Sequence, residues 1–176
     1  MTLPEKLYRQ ITDWSRFETP LGPMLACATK EGVCLLEFMD FGVLEEGLEL
    51  EALSAQRSPS LHIPLLKTEL EGYFEGNLQS FSVPLFAPAT PFQEAAWRAL
   101  LSIPYGNTRS YREQAEAIGR PKAFRAVAQA NHRNRITVVI PCHRVIGADG
   151  SLTGFGSGLW RKEWLLDHER RHSSAG

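Results

Sequence analysis

The sequence has few cysteines, no long apolar run and almost no net charge, and each shortage excludes a class of protein. Three cysteines in 176 residues, odd in number and widely spaced, make no disulfide framework. They include no C-x-x-C pair, so no metal site is expected. No apolar stretch approaches the roughly 20 residues that span a bilayer, so no membrane partner is expected. The opening MTLPEKLYRQ is polar and charged, with no apolar stretch behind it, and predicts no secretory leader. Together these absences predict a soluble protein of a reducing, cytoplasmic compartment. Disorder is excluded as well, because 43% of residues are hydrophobic and the charge is balanced.

The missing net charge is a cancellation. The whole chain carries 19 basic and 20 acidic side chains, a net of -1. Residues 1–104 hold 7 basic and 14 acidic groups, a net of -7. Residues 105–145 hold 8 basic groups (Arg109, Arg112, Arg120, Lys122, Arg125, Arg133, Arg135, Arg144) against Glu113 and Glu116, a net of +6. A cationic stretch of that density suits phosphates. It also fits a solvated basic face, and charge alone leaves both readings open.

The first half reads as mixed α and β. Residues 13–18 are a short extended candidate. The apolar runs 24–28 and 33–38, separated by Thr29-Lys30-Glu31-Gly32, predict a hairpin with a four-residue loop. Residues 44–56 and 64–75 look helical; in the second, Leu66, Leu70, Tyr73 and Phe74 share a face and Gly76-Asn77 supplies a stop. Residues 81–85 read as a further short strand or extended segment, and 87–90 as a linker.

The second half is mostly helical. Thr90-Pro91-Phe92-Gln93 opens a helix whose apolar face is Phe92, Ala96, Trp97, Leu100 and Leu101. Ser110-Tyr111-Arg112-Glu113 is a capping box opening a short helix that Gly119 ends. Pro121 is expected to start another helix running to residue 130. Two short helices around a Gly-containing turn make a helix-turn-helix candidate, although such pairs also serve as plain packing units. The β-branched run 136–140 reads as a buried segment, with Asn134 at a helix-to-strand corner. Residues 159–168 form the closing helix, with Leu159, Trp160, Trp164 and Leu165 as its apolar side.

Cys142 is the sharpest chemical candidate. It follows Pro141 and has His143 and Arg144 beside it, and nearby cations raise a thiol's thiolate fraction. A buried, inert cysteine acting as a small hydrophobe is the competing reading. Cys27 and Cys34 sit within apolar runs and read as core. His143 is a candidate base, but neighbours in an extended segment point opposite ways, so contact would need a bridging water or a turn at Cys142. Glu169 is a candidate orienter by chemistry, and Asn134 is equally an ordinary helix-stop residue.

These residues carry a resemblance. Pro141-Cys142-His143-Arg144-Val145 followed by Ile146-Gly147 resembles the signature of the O6-alkylguanine-DNA alkyltransferases, also called methylated-DNA-protein-cysteine methyltransferases. Thr90-Pro91-Phe92-Gln93 with Trp97, Ile103-Pro104-Tyr105-Gly106, Ser110-Tyr111, Arg125-Ala126-Val127 and Lys162-Glu163-Trp164-Leu165-Leu166 match in order and spacing. Thr19-Pro20-Leu21-Gly22 and Tyr73-Phe74-Glu75-Gly76 match more loosely.

The resemblance implies two domains. Residues 1–87 would be an α/β, ribonuclease-H-like domain with a short antiparallel sheet. Residues 88–176 would be a mainly α-helical domain carrying DNA binding and alkyl transfer. The implied reaction moves an alkyl group from O6 of guanine, or O4 of thymine, in double-stranded DNA to Cys142, once per molecule. It implies no cofactor, no obligate protein partner and a monomer. Glu169, His143 and a water would take the Cys142 proton, and Asn134 would tie the recognition helix to the active-site strand. Arg125 would fill the gap left by the flipped nucleotide, and Tyr111 would contact guanine N3. Ser110, Lys122, Ala123 and Ala126 complete the implied DNA face. Val145, Tyr111, Phe155, Gly156 and Ser157 form the implied alkylguanine pocket, with backbone carbonyls of Cys142 and Val145 accepting from the exocyclic amine. Three positions depart from the commoner pattern: Arg135 for proline, Phe155 for tyrosine and Ser157 for glycine.

Overall fold

The computed structural model describes residues 4–40 and 58–173. The expected helix over residues 44–56 lies outside them. The chain divides into two compact units, Met1–Ala87 and Pro88–Gly176.

The first unit is built on an antiparallel sheet in the order β1 (Asp13–Phe17), β2 (Met24–Ala28), β3 (Val33–Phe38). The β2–β3 hairpin has the expected four-residue loop, and its register shifts between Cys27 and Ala28. Thr29 closes the loop by bonding Gly32 through its backbone. Every residue of β2 and β3 is buried, so both sheet faces are covered. The short helix α1 (Glu5–Tyr8) contributes Leu7 to the cluster of Leu25, Cys27, Cys34 and Leu35, while α2 (His62–Phe74) packs on β1 and β2. Cys27 and Cys34 are core residues, as their apolar neighbours predict, and burial pushes the Cys27 thiol well above its ordinary value.

Of the two readings open for residues 81–85, strand or extended segment, the regular strand does not form. Leu85 makes a single parallel bridge to Val33. The Ser82 and Val83 amides donate instead to the buried Glu69 carboxylate on α2, and Pro84 has no amide to give a ladder.

The second unit opens with α3 (Pro91–Leu101), capped reciprocally by Thr90 and Gln93. Ala96, Trp97 and Leu100 are buried as expected, but Leu101 is exposed. Two helices follow: α4 (Tyr111–Ala117), with the Ser110/Glu113 capping box, and α5 (Phe124–His132). Gly119, at φ +70°, takes the left-handed turn between them. The second helix starts three residues later than expected, because 121–123 form a turn closed by the Ala123 amide on the Arg120 carbonyl. A buried amide pair locks these two helices: Gln114 Nε2 donates to Asn131 Oδ1 (3.0 Å), and Asn131 Nδ2 donates to Gln114 Oε1 (2.8 Å). Trp97 Nε1 donates to the Ala130 carbonyl at 2.9 Å and joins α3 to α5.

The run 136–140 is buried but is no strand. It is a turn, closed by the Ile140 amide on the Ile136 carbonyl, with Val138 at φ +74°. Asn134 makes this possible. Its Oδ1 accepts from the Ile136 amide and its Nδ2 donates to the Ile140 carbonyl, so two backbone groups are satisfied without a neighbouring strand. The closing helix α6 (Leu159–His172) is longer than expected, and its buried face differs. Leu159 and Trp160 are exposed, whereas Arg161, Lys162, Leu165, Leu166, His168 and Glu169 are buried.

Candidate functional site

Cys142 begins a one-turn 3-10 helix, Cys142–Arg144. The turn is set by Pro141 (φ -83°, ψ 64°), across which the Cys142 amide bonds the Ile140 carbonyl in an inverse γ-turn. A turn therefore replaces the extended geometry that would have separated neighbouring side chains. Cys142 is 8% exposed, and Asn134 Nδ2 donates toward its sulfur at 3.4 Å. A hydrogen bond donated to sulfur favours the thiolate. Asn134 thus touches the nucleophile candidate itself, and the segment it holds is a turn rather than a strand.

Behind the cysteine lies a buried ionic cluster. His143 Nε2 is 2.8 Å from Glu169 Oε1. Arg144 grips the same carboxylate through Nε (2.9 Å to Oε2) and Nη2 (3.0 Å to Oε1), and the Gly106 amide donates to Oε2 at 3.0 Å. Arg144 Nη1 also donates to the Ile103 carbonyl, so the IPYG stretch shapes the far side of the cluster. Burial alone would raise the Glu169 pKa. The charges and hydrogen bonds of His143 and Arg144 outweigh it and hold the carboxyl well below the usual range. Burial pushes the His143 pKa down, against the opposing pull of Glu169. At neutral pH the imidazole is therefore neutral, with its proton on Nε2 facing Glu169. Nδ1 keeps its lone pair and has no hydrogen-bond partner among the described residues. This is the state of a base ready to accept.

The implied pocket residues come from two further segments. Tyr111 is anchored by the parallel pairing of β4 (Arg109–Ser110) with β5 (Val145–Ile146), which lays the start of α4 beside the nucleophile's own segment. Its hydroxyl donates to the Thr153 carbonyl (3.2 Å) and reaches the Gly154 carbonyl (3.4 Å); burial raises its pKa. A Cβ at Gly154, where φ is +63°, would come within 2.4 Å of that hydroxyl, so glycine makes room for the phenol. Phe155 and Ser157 are buried, Gly156 half-buried, and the Ser157 carbonyl accepts from Arg161 Nη1 at 2.7 Å.

The implied DNA face is open. Arg125, Ala126 and Lys122 are exposed, and the Arg125 guanidinium lies 5.8 Å from the centre of the exposed Phe124 ring. Lys122 and Ala123 stand in the turn before α5 rather than within it. The Ser110 hydroxyl is already used, accepting from the Glu113 amide as the cap of α4.

Sequence reasoning gave no role to Arg144 as the permanent counter-charge of Glu169, nor to Lys162. Lys162 is fully buried, and its ammonium donates to the Val145 and Thr153 carbonyls. The available signal was spacing: Lys162, Leu165, Leu166 and Glu169 share one face of α6 at three- and four-residue intervals.

The models of two domains match the chain: the 6-O-methylguanine DNA methyltransferase ribonuclease-like domain over residues 13–87, and the DNA binding domain of the same name over residues 91–171. A methylated-DNA–protein-cysteine methyltransferase of Methanosarcina barkeri is 44% identical over 155 residues, covering 88% of this chain and 95% of that protein. The crystal structure of Mycobacterium tuberculosis O6-methylguanine methyltransferase superposes with a TM-score of 0.79 at 38% identity, covering 94% of this chain and 96% of that one. Mycobacterium tuberculosis OGT in complex with DNA superposes with a TM-score of 0.77 at the same identity, over 92% and 95% of the two chains.

Proposed function

Because this chain belongs to the 6-O-methylguanine DNA methyltransferase family, we propose that it repairs DNA by moving the alkyl group of an O6-alkylguanine to its own Cys142, one group per molecule. The observation that carries this reading is the setting of Cys142. Its sulfur receives the Asn134 amide, and the next residue is a buried neutral imidazole whose Nδ1 has no partner among the described residues.

The sulfur attacks the alkyl carbon, an S–C bond forms and the C–O6 bond breaks. The thiol proton passes to His143 Nδ1 through a water, and Glu169 stabilises the imidazolium that results. The departing guanine keeps the electron pair and is neutralised at N3 by the Tyr111 hydroxyl, redirected from the Thr153 carbonyl. The proton count closes when the His143 proton returns through solvent to the phenolate. Backbone carbonyls of Cys142 and Val145 accept from the exocyclic amine and select guanine. The thioether is stable, so no cofactor regenerates the thiol and the molecule is consumed.

An O6 substituent lies inside the base stack, so the nucleotide must be flipped out, at a cost of about a few kcal/mol. Arg125, exposed on α5, fills the space it leaves. The helix-turn-helix lies in the minor groove, whose weak sequence code suits a search for lesions in any context. Arg109, Arg112, Lys122 and Arg133 supply phosphate contacts, with Ser110, Ala123 and Ala126 against the backbone. The DNA complex of the Mycobacterium tuberculosis relative supports binding of this kind. Among the described residues no helix is long and apolar enough to cross a membrane. The reading extends to a reducing, cytoplasmic compartment, which three free thiols suit, and to a monomer without an obligate protein partner.

The decisive experiment uses duplex DNA with one O6-methylguanine. After incubation and digestion, the peptide containing Cys142 should carry one methyl group, with one event per protein. Tight DNA binding with an unmodified Cys142 would identify a lesion-recognition module instead, and repeated turnover would contradict a consumed acceptor.

A further inference from the structure

An apolar ring stands among the cations of the proposed DNA face. Phe124, the first residue of α5, is 41% exposed. Among the described residues it is the only large apolar side chain of α4, α5 or the turn between them that is exposed. Its spacing alone would bury it. Phe124, Val127 and Asn131 stand three and four residues apart on one stripe of the helix, and Val127 and Asn131 are buried. At the first turn of α5 that stripe runs past the protein's own core.

The surroundings of the ring narrow what it can meet. Arg120, Lys122 and Arg125 are all exposed and lie within four residues of it along the chain. The Arg125 guanidinium is 5.8 Å from the ring centre, inside the reach of a cation–π contact. Ala123 and Ala126 flank the pair with methyl groups only, so no bulky neighbour in the chain holds a partner away. An aromatic face ringed by cations suits a polyanion with flat apolar surfaces, which describes bases strung between phosphates. Flipping one nucleotide uncovers the faces of its neighbours, and apolar side chains that enter a minor groove insert between base steps.

We propose that Phe124 is a second element of the wedge: its ring packs against a base next to the flipped nucleotide, while Arg125, held beside the ring, fills the vacated place. The inference rests on the reading of this chain as a protein that flips its target base. A guanidinium entering the stack leaves water, and the ring beside it offers an electrostatic partner there. The ring also supplies apolar area that a cation lacks. Stacking of this kind tolerates any sequence, because every base has a π-face.

Single-turnover methyl transfer is measured on a duplex with one O6-methylguanine, and on the same duplex with an abasic residue in place of the 5′ or the 3′ neighbour of the lesion. Each rate is divided by the same protein's rate with the free base O6-benzylguanine, which reports a folded chain with a reactive thiol. On the intact duplex this ratio is expected to fall about tenfold in Phe124→Ala, the loss of about one stacked base. Phe124→Tyr, which keeps the ring, should hold the native ratio. With the neighbour missing on one of the two sides, the difference between native and Phe124→Ala should close, because the ring has lost its partner. A native ratio in Phe124→Ala, or a difference that persists whichever neighbour is missing, overturns the proposal. Duplex affinities supply a second arm, measured in a Cys142→Ser background so that nothing reacts. The same pattern of about tenfold weakening, closed by the abasic neighbour, is expected. Affinities that Phe124→Ala leaves unchanged overturn the proposal, and this arm decides it even if Cys142 proves not to be the acceptor.

Discussion

His143 Nε2 lies 2.8 Å from Glu169 Oε1, and both side chains are fully buried. This contact decides which imidazole nitrogen is basic. An ionised carboxylate only accepts, so the imidazole proton sits on Nε2 and the lone pair on Nδ1. Arg144 keeps the carboxylate ionised from its other side, so the acceptor that fixes the tautomer persists in mild acid.

Glu169→Gln should be inactive for a specific reason. Its amide can donate to Nε2 and move the imidazole proton to Nδ1, where it blocks acceptance from Cys142. Methyl transfer from duplex DNA is expected to slow by at least about a hundredfold, the usual share of acid–base catalysis. The same change leaves Arg144 buried without a counter-ion, at about 3–5 kcal/mol of stability. Single-turnover rates and urea unfolding read the two effects separately; native values of both would refute the assignment.

Stability should fall on the acid side in two steps. The His143 pKa is lowered from its ordinary 6.5, so the unfolded chain binds a proton that the native state refuses. That contribution is complete above about pH 6.5 and is lost as pH falls through the folded-state value. The Glu169 pKa is lowered from 4.5, so its contribution is complete above that pH and is lost further down. Urea midpoints from pH 8 to pH 4 should drop first near pH 6, and His143→Phe should remove that first step. A flat profile across pH 6 would show that His143 titrates normally.

Asn134→Ala removes three hydrogen-bond partners at once: the Ile136 amide, the Ile140 carbonyl and the Cys142 sulfur. Buried polar groups left unsatisfied cost about 1–3 kcal/mol. The turn that presents Cys142 should loosen, and methyl transfer should slow by about tenfold or more. Native stability together with a native rate would mean that the asparagine only stops a helix.

Arg125→Ala should separate flipping from chemistry. Arg125 is exposed on α5, its guanidinium 5.8 Å from the centre of the exposed Phe124 ring. Repair of O6-methylguanine in duplex DNA is expected to slow by about tenfold or more, because the few kcal/mol of unstacking are no longer offset. Reaction with the free base O6-benzylguanine should stay within about twofold of native. Equal losses on both substrates would remove Arg125 from the flipping step.

Local features were legible before any tertiary contact was known. The Thr90/Gln93 and Ser110/Glu113 caps, the Gly119 turn and the 24–28/33–38 hairpin depend on residues a few positions apart, and the structure contains each of them. The 136–140 run was half legible. Its hydrophobicity announces burial, but burial does not specify an extended chain, and Asn134 supplies the bonds that a neighbouring strand would have supplied. On α6 the apolar pattern pointed to Leu159 and Trp160, which are exposed. The buried face carries Lys162, whose carbonyl partners lie 9 and 17 residues away in the chain, and Glu169, whose partners lie 25 or more away.

By itself the sequence determined the family, the nucleophile candidate and the basic excess of residues 105–145, because motif order and local charge need no third dimension. Tertiary structure decided the electrical state of the site. Whether His143 is neutral, which nitrogen accepts, and whether Lys162 faces carbonyls or water depend on desolvation and on groups brought together from β5, α4 and α6. Coulomb energy and burial act through distance in space, and separation along the chain does not report it.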